Sequence, residues 1–208
     1  MYVPKHFAEP RIEALHELIH ARPLATLVTL SSVGLDANHI PLRLSPEPVP
    51  FGALRGHVAR ANPVWKETPR DAEVLAIFQG PEAYVTPSWY PTKAETGKVV
   101  PTWNYAVAHV HGRLRVVDDP AWISAQIEEL TAHSEASFAQ PWQVDEAPAD
   151  YIEKLIGAVV GIEIVITRLV GKWKVSQNQP MENRIGVMKG LRAAGHAEMA
   201  EMVERTSD

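Results

Sequence analysis

Two stretches alternate with period two, and they constrain the fold more than any other feature of the chain. From 158 to 167, Val160, Ile162, Ile164 and Ile166 fall on one side, with Glu163 and Thr167 on the other. From 105 to 117, Val110, Leu114 and Val116 face one way, while His109, His111, Arg113 and Arg115 face the other. Successive side chains of a strand point to opposite faces, so each stretch predicts a strand with one buried side. Shorter apolar runs at 24–30, 37–44, 53–58 and 74–79 add further strands. Gly34 offers a turn between the first two. Pro41 marks an edge or bulge in the second, and Gly80-Pro81 is expected to turn the chain after the fourth.

Helical signals surround these strands. Residues 1–7 read as an extended arm. A helix follows from about Glu9, with Pro10 in its first turn and Ile12, Leu15, Leu18 and Ile19 at helical spacing, and it stops before Pro23. Asn62-Pro63 reads as a second helix start, Asn62 as its cap and Pro63 at the first helical position. Asp119-Pro120 opens a helix to about His133, 147–155 forms another, and 181–203 is helical with a break at Gly195. No repeat or linker divides the chain. The expected architecture is a single domain over 1–208, with 180–208 as a helical C-terminal appendage. It is mainly β with peripheral helices (α+β), a closed or partly closed antiparallel barrel.

Composition narrows the function classes. The chain has 208 residues and 46% hydrophobic content, enough for one large domain. A net charge of -5 offers no general attraction to nucleic acid or an anionic membrane. Cysteine is absent, which excludes disulfides, thiolate metal sites and cysteine nucleophiles and suits a reducing cytoplasm. The first residues lack the apolar core of a signal peptide, and no apolar run approaches the roughly 20 residues of a membrane span. Neither a P-loop, a dinucleotide fingerprint nor a nucleophile elbow is found. Gly186, Gly190 and Gly195 are spaced wrongly for a dinucleotide loop. Arg184, Lys189 and Arg192 are the candidate basic face for DNA, but Glu198, Glu201 and Glu204 in the following helix oppose groove entry.

Four segments carry possible chemistry. Residues 84–105 set Tyr84, Trp89, Tyr90, Trp103 and Tyr105 among Thr86, Ser88, Thr102 and Asn104, with Pro87, Pro91 and Pro101 stiffening the backbone. Rings with a few fixed donors suit a flat, polar-edged heterocycle; a Pro-rich loop whose rings fill a core edge is the other reading. Residues 56–63, GHVARANP, place a strand end against a helix start. Arg60 can fork onto an anion, His57 can add a contact, and the Asn62 helix start adds N–H donors, which together read as a phosphate site. A plain cap with a solvated arginine is the alternative. Residues 172–178 gather Lys174, Ser176, Gln177 and Asn178 beside Trp173, as a heterocycle edge or a polar turn. Asn38 and His39 alternate across a strand, so one of them at most faces a pocket. His109 and His111 share a strand face without a third ligand at useful spacing, so they read as exposed or interface histidines, and no metal site is expected.

Taken together these segments resemble the PaiB-type FMN-binding negative transcriptional regulators. The resemblance rests on Met1-Tyr2-x-Pro4-x-His6-Phe7, Leu27-Val28-Thr29, Asn38-His39-x-Pro41 and Gly56-His57-x-Ala59-Arg60-Ala61-Asn62-Pro63. Gly80-Pro81, Tyr84-Val85-x-Pro87-Ser88-Trp89-Tyr90, Val100-Pro101-Thr102-Trp103-Asn104-Tyr105 and Lys174-x-Ser176-Gln177-Asn178 complete it. It implies an antiparallel Greek-key split barrel of the FMN-binding type, a homodimer with flavin near the subunit interface, and negative regulation of transcription. On this reading His57, Arg60 and Asn62 hold the phosphate, and Trp89, Tyr90, Trp103 and Asn104 line the ring system. His39, Ser88, Gln177 and Asn178 complete the cofactor contacts, and Lys98 and Lys174 supply positive charge. A flavin reductase or small flavin-dependent oxidoreductase would use the same pocket, and a cofactor-free DNA-binding regulator is a third reading. Direct DNA binding finds no support in the charge pattern.

Overall fold

A computed structural model of the chain describes residues 1–206. In chain order its elements are β1 (Ala8–Glu9), α1 (Ile12–Ala21), β2 (Leu24–Ser31), β3 (Gly34–Pro41), β4 (Arg43–Ser45), β5 (Ala53–Ala59) and α2 (Val64–Glu67). There follow β6 (Glu73–Val85), α3 (Thr92–Thr96), β7 (Thr102–Val117), α4 (Pro120–Glu135), α5 (Ala149–Gly157), β8 (Val159–Lys174), α6 (Met181–Ala193) and α7 (Ala197–Arg205). The strands form one eight-stranded antiparallel sheet in the order β3-β2-β6-β7-β8-β5-β4, with β1 pairing β8 off that path. The sheet does not close, as a split barrel requires. Among the described residues no helix is long and apolar enough to cross a membrane.

A single domain is the expectation from sequence; contacts divide the chain into two compact units. Unit 1 takes Met1–Leu15, Gln79–Ala108 and the chain from Val170 onward; unit 2 takes His16–Phe78 and His109–Leu169. The long strands β6, β7 and β8 each contribute to both units. The helical residues from 180 onward group with the aromatic segment inside unit 1.

In unit 2 the β2–β3 hairpin runs in register from Leu24↔Pro41 to Ser31↔Gly34, and Gly34 turns it at φ +118°. Ala25, Leu27, Ile40, Leu54, Val58, Ile162 and Ile164 supply the buried side chains of its strands. Asp119 caps α4 by accepting from the Ala121 N–H at 3.0 Å, with Pro120 at its first position. In unit 1 the core is built from Phe7, Leu15, Val85, Trp173, Val187, Leu191, Met199 and Val203. Gly195, at φ +83°, separates α6 from α7, where the break in the helical pattern predicts it.

Three sequence expectations are corrected. Gly80-Pro81 does not end a strand, since β6 runs unbroken from Glu73 to Val85. β2 pairs with β6 only at Leu75, Ala76 and Ile77. These pairs lie before Pro81, so its missing N–H interrupts none of them. Lys172 and Lys174 lie within β8, not in a turn after it. The helix opened by Asn62-Pro63 has only four residues and provides no extended N-terminal dipole.

Candidate functional site

The phosphate motif lies in unit 2 and is internally satisfied. Arg60 donates to both carboxylate oxygens of Asp118, at 2.6 and 3.0 Å. Its Nε donates to the Gly157 carbonyl at 2.9 Å, and Nη2 also donates to the Val159 carbonyl at 2.9 Å. The Asp118 hydrogen bonds raise the Arg60 pKa, and the same bonds lower that of Asp118. His57 Nδ1 lies 2.7 Å from Gln126 Oε1. Asn62 donates to Asn38 at 2.8 Å and accepts from the Val64 N–H at 2.9 Å, although Pro63, not Asn62, stands at the cap of a helix that begins at Val64. The Trp65 indole N–H closes the knot on the Arg60 carbonyl at 3.1 Å. His39 Nδ1 meets Thr26 Oγ1 at 3.1 Å on an exposed part of β2–β3. Thus the guanidinium reserved for an anion is bound to a carboxylate and two carbonyls, and a phosphate there would have to displace Asp118.

The aromatic segment lies in unit 1, and its rings divide into two sets. Tyr90 is buried, which raises its phenol pKa. Trp89 is seated on α6: a Cβ on Gly190 would come within 2.2 Å of Trp89 Cδ2, and one on Gly186 within 2.0 Å of the Trp89 carbonyl oxygen. Two glycines four residues apart thus make a notch for this indole, a pairing readable only once the spacing is set against a bulky partner. Thr86 Oγ1 caps the Pro87–Trp89 turn through the Ser88 N–H, and the Ser88 side chain is exposed.

The second set faces outward from the sheet. Tyr84 on β6 and Trp103 on β7 are 47% and 54% exposed and meet edge to face, centroids 5.9 Å apart at 68°. Tyr105 follows Trp103 on the same face, and Lys172 Nζ stands 5.2 Å from the Tyr105 centroid and 5.9 Å from that of Tyr2. Lys174, two residues along β8, donates to the Trp103 carbonyl at 2.9 Å and to Thr102 Oγ1. Burial lowers the Lys174 pKa, and the neighbouring Lys172 charge lowers it further. Among the described residues neither lysine is in an ion pair. Lys98 stands on an exposed loop beyond α3.

Behind this face the polar residues serve the backbone. Asn104 is fully buried and bonds to Ser176 Oγ at 2.9 and 3.2 Å. Ser176 holds a left-handed φ of 63°, a conformation that tertiary bonds must maintain. Gln177 folds onto the Val175 N–H at 2.7 Å and the Trp173 carbonyl. Asn178 alone of this group is exposed. Tyr84 and Tyr105, rings of the segment singled out in the sequence, thus share a face with Trp103 and Lys174, and Lys172 joins them. Their signal was present as i, i+2 spacing along two strands.

His109 and His111 in unit 2 are half-buried, not exposed. Burial lowers both pKa values, and His111 Nδ1 lies 3.6 Å from Glu73 Oε1. Among the described residues no cluster able to hold a metal ion occurs. Of the basic face expected on α6, Lys189 and Arg192 are exposed and Arg184 is not. Arg184 is buried and donates to the Val203 carbonyl at 3.0 Å and Thr206 Oγ1 at 3.1 Å, and Arg192 pairs with Glu204 at 2.7 Å. Packing α6 against α7 buries the Arg184 guanidinium, while Arg192 keeps a surface ion pair with Glu204.

The open antiparallel sheet with peripheral helices defines the class, a split barrel. The family described as "Putative FMN-binding domain" matches residues 1–168, and this chain belongs to it. FMN is its cofactor, and the rings and cations of the outward face fit that group. An uncharacterized protein of Emericella nidulans is 39% identical, covering 94% of this chain and 92% of its own length. Protease synthase and sporulation protein PAI 2 of Bacillus subtilis is 26% identical, covering 100% of this chain and 97% of its own, which places the chain with the PaiB-type proteins. The flavocytochrome Anf3 of Azotobacter vinelandii shares the fold at a TM-score of 0.59 and 12% identity, over 83% of this chain and 72% of that one. A conserved hypothetical protein of Mycobacterium tuberculosis does so at 0.57 and 12%, over 86% and 94%.

Proposed function

We propose that this protein is an FMN-binding regulator whose flavin rests on the outward face of unit 1. The observation that carries the reading is the combination of two half-exposed rings, Tyr84 and Trp103, with two lysines that make no ion pair among the described residues. Trp103 and Tyr84 offer an apolar wall to the isoalloxazine. Lys172 and Lys174 offer charge to the phosphate or to a reduced, anionic flavin. Asn178 is the exposed amide next in line, while Asn104 and Gln177 act behind the face by holding the strand end. Arg60 is better read as a structural tie, because its donors are already taken. Bound FMN would bring reversible redox chemistry, which suits a sensor.

The regulatory part is supported by the full-length likeness to the Bacillus subtilis protein named for protease synthesis and sporulation. The structure does not favour an operator-reading helix, since Arg184 and Arg192 are engaged within the α6–α7 pair. A homodimer belongs to the same reading. Leu24, Leu30 and Leu35 are 63%, 60% and 78% exposed on one face of the β2–β3 hairpin, with Leu30 directly opposite Leu35. A second copy would cover that apolar face.

The test is the visible spectrum of freshly purified protein, identification of the released chromophore, and its mass in solution by light scattering. A flavin spectrum, released FMN and a dimer are expected. A colourless protein that fails to take up added FMN would refute the cofactor assignment, and a flavin-loaded monomer would refute the dimer.

A further inference from the structure

The opening motif, Met1-Tyr2-x-Pro4-x-His6-Phe7, is tied to the outward face of unit 1 by its own contacts. A single turn at Lys5–Phe7 closes on the Pro4 carbonyl, which accepts from the Phe7 N–H at 2.9 Å, and the Phe7 ring is buried. β1 then pairs with β8 through Ala8↔Lys172 and Glu9↔Gly171. A Cβ on Gly171 would stand 2.8 Å from the Glu9 carbonyl oxygen, so the bare glycine lets the segment lie close against β8. Trp173 and Val175 point inward from β8 and its end, which leaves Lys172 and Lys174 on the outer side. Thus anchored, the segment brings Tyr2 over Lys172, whose Nζ lies 5.9 Å from the Tyr2 centroid and 5.2 Å from that of Tyr105. Tyr2 is 82% exposed, so core packing does not account for its place.

On the reading of that face as the flavin site, we infer that Tyr2 is a positioning residue for the flavin phosphate: with Tyr105 it holds the Lys172 ammonium in place. A lysine on an open strand samples many rotamers, and a ligand that uses it must first order it. Two rings that attract the ammonium through their π-faces order it beforehand and leave N–H donors for an anion. Lys174 is ordered differently, by donating to the Trp103 carbonyl and Thr102 Oγ1. The attraction comes from the ring and not from the hydroxyl, so phenylalanine at position 2 should serve as well as tyrosine.

The experiment titrates FMN and riboflavin, by quenching of flavin fluorescence, into the native chain, Tyr2→Ala, Tyr2→Phe, Lys172→Ala and Lys172→Ala/Tyr2→Ala. Tyr2→Ala should weaken FMN by about two- to fivefold and leave riboflavin unchanged. Tyr2→Phe should keep the native FMN affinity. In the Lys172→Ala background the loss of Tyr2 should change nothing further, because its effect passes through that ammonium. Without ligand, the ε-methylene proton resonance of Lys172 should lie upfield in the native chain and in Tyr2→Phe, and move downfield in Tyr2→Ala as one ring current is lost. Equal losses for FMN and riboflavin, a full Tyr2 effect without Lys172, no rescue by phenylalanine, or an unmoved lysine resonance would overturn the inference and leave the flavin face standing. A native chain that binds FMN no better than riboflavin would instead refute the phosphate reading itself, and the role of Tyr2 with it.

Discussion

Replacing Gly190 by alanine tests the seating of Trp89 on α6. Inside a helix the change ordinarily stabilises by about 1 kcal/mol. Here the new Cβ would stand 2.2, 2.4 and 2.5 Å from three indole carbons. Carbons in contact sit about 3.5–4.0 Å apart, so the methyl would overlap the ring by roughly 1 Å or more. The ring cannot simply follow its backbone away, because the Trp89 carbonyl already lies against the Gly186 position. Overpacking of this kind costs about 1–3 kcal/mol, which leaves a net loss of about 0–2 kcal/mol after the helix gain. In a Trp89→Ala background the obstacle is gone, and Gly190→Ala should stabilise by about 1 kcal/mol. The coupling between the two sites is therefore about 1–3 kcal/mol. Urea unfolding midpoints at constant m value measure it. If Gly190→Ala stabilises both backgrounds equally, the notch carries no energy and the seating of Trp89 is wrong.

Further outcomes follow from other contacts. Asn104→Ala leaves Ser176 Oγ buried without its partner and should cost about 1–3 kcal/mol in denaturant unfolding; no change would show that the left-handed turn stands without it. Arg60 hydrogen bonds hold the Asp118 carboxyl below its ordinary pKa, so its contribution is present above the unfolded value and lost as pH falls through the depressed one. The stability gap between the native chain and Asp118→Asn should accordingly close in acid, and a gap that persists there would refute the ion-pair account. In gel shifts from low to physiological salt, binding to DNA should be weak and vanish early, with Arg192→Ala changing nothing. Nanomolar, sequence-specific binding that survives physiological salt would reveal a recognition element outside α6.

The legible parts of this fold were those fixed by local chemistry. Alternation in 105–117 and 158–167 marks β7 and β8, and Gly34, Asp119-Pro120 and Gly195 mark turns and caps that the structure keeps. Gly80-Pro81 misled because whether a proline ends a strand depends on its neighbours, and the β2–β6 pairs lie before Pro81. The site was legible as a set of residue types, not as roles. That Arg60 meets Asp118, distant in sequence, could not be read from the local motif. The sequence does not show that the Asn104 amide meets Ser176 or that Gln177 folds onto the Val175 N–H. Gly186 and Gly190 had no meaning before Trp89 was seen between them.

The most direct test of the central claim is a comparison of FMN and riboflavin affinities in the native chain, in Lys172→Ala/Lys174→Ala and in Arg60→Ala. The two ligands share the ring and differ by the phosphate, so their ratio isolates the anion contact. Hydrogen bonds to charged groups contribute about 1.5–3 kcal/mol, so the lysine pair should lose at least about tenfold in FMN affinity with riboflavin little changed. Arg60→Ala should leave the ratio as it is. A ratio that collapses in Arg60→Ala and survives loss of both lysines would contradict the account and return the phosphate to unit 2.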